Sequence, residues 1–271
     1  MRINTNLNAM IATNQMSKNT ALAGSSMEKL STGLRITKAG DDAAGLAVSE
    51  KMRAQIRGME QAERNVQDGI SMVQTAEGAL EEAGNIAQRM RELGVQAGND
   101  TLSEEDRTKV KAELTQLQDE MKKISEETKF NGKQLLNKAN VSFTIQAGAN
   151  SETRKVETAD LSSIANKLSL TSTSISNTAE AQAFVTKVDD ALKSINDARS
   201  DLGAMQNRLE YTANNLTTST ENLTAAESRI RDVDVAKEMV TLSKLNILNQ
   251  ASQAMVSQAK QQPESVSQLL R

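Results

Sequence analysis

The chain has 271 residues, with 32 Lys and Arg against 35 Asp and Glu, and a formal net charge of −3. It contains no Cys, no His and no Trp, which excludes disulfides, thiolate catalysis, the common zinc-ligand sets and histidine proton relays. The near-balanced charge gives no strong attraction to nucleic acid. Aromatic residues make up only 1 % and there is a single Pro, so the composition favours long helices over a broad globular core.

The N-terminal segment reads MRINTNLNAMIATNQM and has no apolar core of the kind found in secretory signal peptides. Residues 1–27 also contain no Asp or Glu. No apolar run approaches the ~20 residues that a membrane-spanning helix needs. We therefore expect neither a cleaved signal peptide nor insertion into a membrane.

Apolar residues recur at alternating steps of three and four along most of the chain, which is typical of helices packed lengthwise. This pattern predicts helices at about residues 43–99, 103–129 and 178–233. Terminal segments at 1–40 and 235–271 continue it with thinner stripes. We therefore predict an outer domain at 41–234 and a second domain built from the two terminal segments.

Paired carboxylates stand at the breaks between these segments. Asp41 and Asp42 follow Gly40, which permits a turn, and Asp232 and Asp234 precede the last segment. Metal binding and acid–base catalysis are the alternatives, but no His, phosphate loop or EF-hand spacing accompanies these residues. We predict that they cap helices and form turns, and we expect no metal, no cofactor and no catalytic site.

The period changes to two between about residues 139 and 157. Val141, Phe143 and Ile145 alternate with polar residues, and a return strand is predicted near 154–157 after a turn. Asn131-Gly132 is a further turn signal. The Ser- and Thr-rich stretch up to residue 178 reads as a loop with a short helix at 161–168.

Together these elements predict a mainly α fold: an elongated antiparallel helical rod with a small β-hairpin insertion, and a two-helix coiled-coil stalk formed by the chain ends. Two lone helices bury little apolar surface, whereas ordering each residue costs ~1–2 kcal/mol of backbone entropy. We therefore expect the stalk to become ordered by packing against copies of itself. The residues predicted to pack there are Ile3, Leu7, Met10, Leu248, Met255, Val266, Leu269 and Leu270.

Long ordered motifs resemble those of bacterial flagellins. They include MRINTNLNAM, LSTGLRITKAGDDAAGLAVSEKMRAQIRGMEQAERNVQDGISMVQTAEGAL, QRMRELGVQAGN and FNGKQLL in the first half, and LGAMQNRLEYTANNLTTSTENLTAAESRIRDVDVAKEMV and SVSQLLR in the second. The resemblance covers roughly residues 1–150 and 180–271. The large central insertion of longer flagellins is absent from this stretch of sequence.

The resemblance implies a secreted structural subunit that polymerises into the extracellular flagellar filament used for swimming. It implies type III export, and it implies other flagellin subunits, the cap protein, hook–filament junction proteins and an export chaperone as partners. It also implies that Arg89, Leu93 and Gln96, with Glu113 on the next helix, form a subunit contact that Toll-like receptor 5 of hosts recognises. From the residues alone, this stretch reads equally as a packed helix with Leu93 inward and charges outward.

Two alternatives remain open. A hook–filament junction protein shares the terminal motifs, and a chemoreceptor-like signalling coiled coil shares the heptads and the scarcity of aromatic residues. The signalling coiled coil requires an uninterrupted helical hairpin, which the β-period at 141–145 and the break at Gly40 argue against. No arrangement of residues supports an enzyme.

Overall fold

A computed structural model describes residues 6–137, 141–168, 175 and 177–269, with residues 141 and 262–269 described by their backbone. The helices are α1 (Leu7–Thr32), α2 (Ala43–Ala97), α3 (Glu104–Glu127), α4 (Leu161–Lys167), α5 (Thr178–Arg231) and α6 (Val235–Leu269), and the strands are β1 (Lys129–Phe130), β2 (Lys133–Gln134), β3 (Val141–Gln146) and β4 (Thr153–Thr158). The predicted mainly α fold, with a small β-hairpin and terminal helices that pack together, is confirmed. No helix in the described ranges is both long and apolar enough to cross a bilayer.

Contacts divide the chain into two compact units. The terminal unit comprises Met1–Ala54 and Asn222–Arg271, and the central unit comprises Gln55–Glu221. The boundary between the units therefore falls inside α2 and α5, which run through it. The predicted domain boundaries at residues 40 and 235 concern assembly and stay predictions.

The first helix ends earlier than its apolar stripe suggested. It stops at Thr32 because Gly33 takes the left-handed conformation, with φ of 72°, which a residue without a Cβ adopts at little cost. The expected break at 38–42 is the second half of the connection, where the chain turns into α2.

Carboxylates organise this connection as predicted. The Asp41 carboxylate accepts the backbone N–H groups of Thr37 and Lys38, both at 3.1 Å, and these bonds hold its pKa below the usual range. Asp42 accepts the N–H of Gly45 at 2.9 Å and so caps the first turn of α2. The capping prediction is confirmed here.

The start of α6 uses the same device. Asp234 accepts the backbone N–H of Lys237 at 3.1 Å, which satisfies one of the free donors in the first turn. Asp232 has another role, because its carboxylate accepts the hydroxyl of Ser228 at 2.6 Å. Capping is therefore confirmed for Asp234, and Asp232 lies in the turn before it.

The connection between α1 and α2 and the connection between α5 and α6 are linked to each other by backbone hydrogen bonds. The N–H of Arg35 donates to the carbonyl of Arg231 at 2.6 Å, and that of Val233 donates to Gly33 at 3.0 Å. The mostly buried Arg231 guanidinium contacts the Glu50 carboxylate at 2.6 Å. Its hydrogen bond lowers the pKa of Glu50, so this pair stabilises the fold above the ordinary carboxyl range and loses its effect as pH falls through the lowered pKa.

In the central unit, α2 and α5 run antiparallel. Arg91 on α2 pairs with Asp189 on α5 at 2.6 Å, and the carboxylate of Glu63 accepts the hydroxyl of Thr217 at 3.3 Å. Between the helices lies a core of aliphatic side chains and one Phe. Its fully or nearly fully buried members include Val66, Val73, Leu80, Met90, Leu114, Met121, Phe184, Ile195, Leu202 and Leu209.

The β3–β4 hairpin forms where the sequence predicts it, and the turn predicted at Asn131-Gly132 joins a second, shorter hairpin that was not predicted. Strands β1 and β2 are joined by Asn131-Gly132, both with positive φ, the combination that a tight hairpin turn requires. Strands β3 and β4 pair antiparallel with Phe143 opposite Val156. The short helix α4 follows and is capped by Asp160, whose carboxylate accepts the N–H of Ser163 at 2.9 Å.

Two glycines let the β3–β4 hairpin lie directly on α2. A Cβ on Gly58 would lie 2.8 Å from the Cβ of Ala149, and one on Gly69 would overlap the side chain of Ile145. Between them, the Asn65 amide donates to the carbonyl of Gln146 at 3.2 Å. Gly58 and Gly69 are three turns apart, so one face of α2 forms a shallow floor about 16 Å long for the hairpin.

This contact predicts opposite effects for the same change at two positions of α2. Gly58→Ala should lower the free energy of unfolding by about 1 kcal/mol, because overpacking against Ala149 outweighs the gain in helix propensity. Gly78→Ala, where a Cβ would meet nothing within 4 Å, should raise it by about 1 kcal/mol. Urea unfolding followed by circular dichroism measures both. Stabilisation by both changes would contradict the close hairpin contact.

Candidate interaction surfaces

Arg89 is the centre of an exposed charge cluster between α2 and α3. Its Nη2 lies 2.9 Å from an oxygen of Glu113 on α3, and its Nη1 lies 3.1 Å from an oxygen of Glu92 on α2. These hydrogen bonds raise the pKa of Arg89, and the bond to Glu113 has the larger effect. The structure therefore brings Arg89 and Glu113 together, and their side chains face solvent while fixing each other.

The other two residues predicted for this surface take different positions. Gln96 is exposed, whereas Leu93 is only 2 % exposed and belongs to the core. The prediction that Leu93 forms part of the surface is therefore corrected, because its position on the helix points it inward beside Met90. Leu93 supports the surface from beneath rather than offering a contact.

Gly94 explains why this part of α2 lies so close to α5. A Cβ at this position would approach Val185 to 2.9 Å and Phe184 to 3.2 Å. The next residue, Val95, has 57 % of its surface exposed and lines a shallow groove together with Gln182. The neighbourhood of Arg89 is therefore a tightly packed helix pair with a mixed polar and apolar exterior.

The terminal helices α1 and α6 form a second candidate surface. The interface between them determines which of their side chains are buried and which are exposed. The two helices are antiparallel, since Asn6 donates to the carbonyl of Ala259 at 2.6 Å and Thr20 contacts Asn249 at 3.5 Å. The least exposed side chains recur at alternating steps of three and four on both helices. We call them the terminal seam: Ala9, Ala12, Met16, Asn19, Ala23, Ser26 and Leu30 on α1, and Glu238, Leu242, Leu245, Asn249, Ser252, Val256 and Ala259 on α6.

Most of the terminal seam is small or polar. Asn19 is 3 % exposed, and Ser26 and Ser252 are also buried. Small residues let two helices approach closely, but they remove little apolar surface from water, and a buried Asn weakens a coiled coil while fixing its register. The seam therefore aligns α1 and α6 without providing much hydrophobic stabilisation.

Leu242 and Leu245 of the terminal seam are buried, but many other large apolar side chains of both helices lie outside the seam. Leu7, Met10, Leu248 and Met255, which were predicted to pack in the stalk, are 40–66 % exposed in the single chain. Their packing against copies stays a prediction. They lie on other faces of the helices, in a register offset from the seam. Ile3 and Leu270 lie outside the described residues, as do the side chains of Val266 and Leu269.

The exposed apolar set is larger than the sequence analysis indicated. Its members on α1 and α6 are Leu7, Met10, Ile11, Leu22, Met27, Val235, Met239, Val240, Ile247, Leu248 and Met255. Seven of these lie outside the residues predicted to pack in the stalk, because each helix carries apolar residues on more than one face. An exposed apolar surface of this kind marks an interaction site.

Comparisons with known proteins agree with this architecture. Residues 3–141 match the bacterial flagellin N-terminal helical region, and residues 185–270 match the bacterial flagellin C-terminal helical region. A structure assigned to a flagellar hook-associated protein from Vibrio parahaemolyticus shares the fold at 15 % identity, with a TM-score of 0.58 over 71 % of this chain and 100 % of that chain.

Full-length relatives are closer in sequence. A flagellin from Halalkalibacterium halodurans is 53 % identical and one from Bacillus subtilis is 49 % identical, each with 100 % of both chains covered. These matches favour neither a hook–filament junction protein nor a signalling coiled coil. The chain belongs to the bacterial flagellin family and is a structural subunit of the flagellar filament, which lies outside the cell.

Proposed function

We propose that neighbouring copies cover the large apolar side chains that α1 and α6 expose, and that this contact drives polymerisation. In this proposal, residues 1–40 and 235–271 form the inner, self-associating domain, and residues 41–234 form the outer domain. The observation that supports it most directly is that the terminal seam is mostly small or polar, while eleven large apolar side chains on the two helices stay exposed.

The energetics favour assembly through this surface. Burying a Leu, Ile, Val or Met side chain completely contributes about 1.5–3 kcal/mol, and eleven such side chains on the two helices are at least two-fifths exposed. Against this gain stands the association cost of about 4–15 kcal/mol. A contact that covers most of the set exceeds that cost, whereas a contact that covers two or three residues does not.

The side chains predicted for the stalk acquire their role between chains. Because their side chains are exposed, Leu7, Met10, Leu248 and Met255 are available for contact with a copy. Ile3, Val266, Leu269 and Leu270 continue the same apolar pattern in the sequence. We assign all eight to packing between subunits.

The charge cluster around Arg89 is proposed as a second contact surface, used between subunits and recognised by Toll-like receptor 5 of hosts. Arg89 and Glu113 are exposed and fix each other, and Gln96 lies two helical turns along α2. A pre-ordered Arg with apolar support beneath it suits an interface hot spot. Leu93 provides that support from the core.

The remaining partners follow from family membership. We propose export through the flagellar type III apparatus, a chaperone that holds the C-terminal segment before export, and contacts with the cap and the hook–filament junction proteins. The exposed apolar face of α6 is a surface that would need such protection before assembly. The role is structural, and no enzymatic step is part of it.

Polar substitutions on the exposed face of α6 test the assembly proposal. Combining Val240→Ser, Ile247→Ser and Met255→Ser should abolish filament formation, because all three side chains are over 60 % exposed and are buried only between copies. The thermal midpoint of the monomer should change by less than about 2 °C. Light scattering and electron microscopy follow assembly, and circular dichroism follows the monomer.

The matched control places the same number of serines at exposed polar positions of α6: Lys244→Ser, Gln250→Ser and Lys260→Ser. This variant should polymerise with at least half of the unaltered yield. Normal polymerisation of the apolar-to-serine variant would contradict the proposal, as would equal loss in both variants.

Removal of the Arg89 side chain tests the recognition surface. Arg89→Ala should lower receptor signalling at matched protein concentration at least about tenfold, while the thermal midpoint changes by less than about 2 °C, because exposed ion pairs contribute little to stability. Arg91→Ala is the matched control, since Arg91 is also exposed and also pairs with another helix. Unchanged signalling by Arg89→Ala, or an equal loss with Arg91→Ala, would count against the surface.

A further inference from the structure

One face of α5 has an unusual composition for an exposed helix. Asn207, Tyr211, Asn214 and Thr218 follow one another at steps of four, three and four, so they share one side of the helix, and all four are exposed. We call this set the α5 stripe. Residues 211–220 contain no charged side chain, although charged residues make up 25 % of the chain.

Tyr211 dominates the α5 stripe. It is the single tyrosine of a chain that has no Trp and only three Phe, and it is 74 % exposed. An aromatic side chain left in water forgoes much of the stabilisation that burial would give it. Its position is therefore costly for an isolated subunit.

The α5 stripe points away from the core of its own subunit. Leu202, Leu209 and Leu216 are buried on α5 and mark the face that packs inward. Within the described part of the chain, the side-chain amides of Asn207 and Asn214 make no hydrogen bond. The hydroxyl of Thr218 donates to the carbonyl of Asn214 at 3.0 Å and does not occupy the Asn amides. The amide donors of the stripe are therefore available to a partner.

Helix stability does not explain these residues. Asn and Thr are poor helix formers, and an exposed helix gains more from Glu, Lys or Gln. Elsewhere on α5 the exposed surface carries charges, as around Asn196, where Lys193 and Asp197 are exposed. The stripe resembles the centre of a protein interface, where charges are depleted and aromatic residues are enriched.

We propose that the α5 stripe is a contact with a second copy of this chain, with Tyr211 as its anchor. The proposal rests on the proposed function, because it takes the partner to be another subunit of the polymer. Copies carry the same net charge of −3. A contact centred on residues 211–220, which carry no charge, avoids like-charge repulsion at its centre, while the exposed Arg208 and Glu210 lie at its border. Asn side chains both donate and accept, so they pair with the amides and hydroxyls of a copy.

The single tyrosine provides a direct measurement. Because the chain has no Trp, the intrinsic fluorescence above the Phe emission comes from Tyr211 alone. The acrylamide quenching constant should fall at least about threefold when monomers polymerise, since contact with a copy removes the ring from solvent. Equal quenching in monomers and filaments would overturn the proposal.

A charge placed in the α5 stripe tests the contact independently. Asn214→Asp should raise the critical concentration for polymerisation at least about tenfold, because a carboxylate would be desolvated in the interface. Asn196→Asp is the matched control on the same helix and should change it less than about twofold. Circular dichroism should show monomers of both variants with unaltered helix content.

The outcomes separate this contact from the wider function. If the unaltered chain polymerises while both aspartate variants behave alike, the stripe contact is overturned and the filament role stands. If the serine variant of the exposed α6 face polymerises normally but Asn214→Asp does not, the stripe contact is supported and the terminal-helix proposal fails. Failure of the unaltered chain to polymerise would overturn both.

Discussion

The fold of the terminal unit depends on how α1 and α6 meet. They contact each other mainly through alanine, serine and asparagine, with Leu242 and Leu245 as the buried large apolar residues, and the buried Asn19 lies in this terminal seam. Such an interface sets the antiparallel register but removes little apolar surface from water. Eleven larger side chains on the two helices remain exposed, and in our proposal neighbouring copies cover them. A subunit that polymerises needs this arrangement, because its strongest hydrophobic contacts must stay available until a neighbour arrives.

Much of the fold could be predicted from local signals. Helix breaks were marked by Gly40, Asp42 and Asp234, the β3–β4 hairpin by a period of two, and a turn by Asn131-Gly132. These signals act within a few residues, so they are readable without knowing the partners of each segment. Gly33, whose left-handed conformation ends α1 before the predicted break, is such a local signal. The apolar spacing continues beyond it to Leu34 and predicts a longer helix.

The terminal seam and the position of Leu93 could not be predicted in the same way. On α1, the residues Leu7 and Met10 and the smaller Ala9 and Ala12 both follow helical spacing, and hydrophobicity alone selects the larger pair. Which face of α1 turns inward depends on the partner helix and, in our proposal, on the copies that cover the other faces. The local sequence pattern identifies neither. The prediction that Leu93 belongs to the contact surface failed for a related reason. A sequence motif does not separate the residues that touch a partner from those that hold them in place.

In our proposal, the two units divide the contacts between copies by their chemistry. The terminal unit offers large apolar side chains, which favour burial without directional demands. The central unit offers an ordered charge cluster at Arg89 and an uncharged stripe around Tyr211, which impose geometry through hydrogen bonds. A polymer that must be both stable and regular draws on both kinds of surface.

In our proposal, α1 and α6 gain most of their stability from neighbouring copies. Backbone hydrogen exchange, resolved by segment, tests it in dilute monomer and in assembled filament. Amides of both helices should exchange within seconds to minutes in the monomer and be protected by at least about a hundredfold in the filament, while the buried part of α2 around Val73 and Leu80 is protected in both. Equal protection of α1 and α6 in the two states would contradict the account.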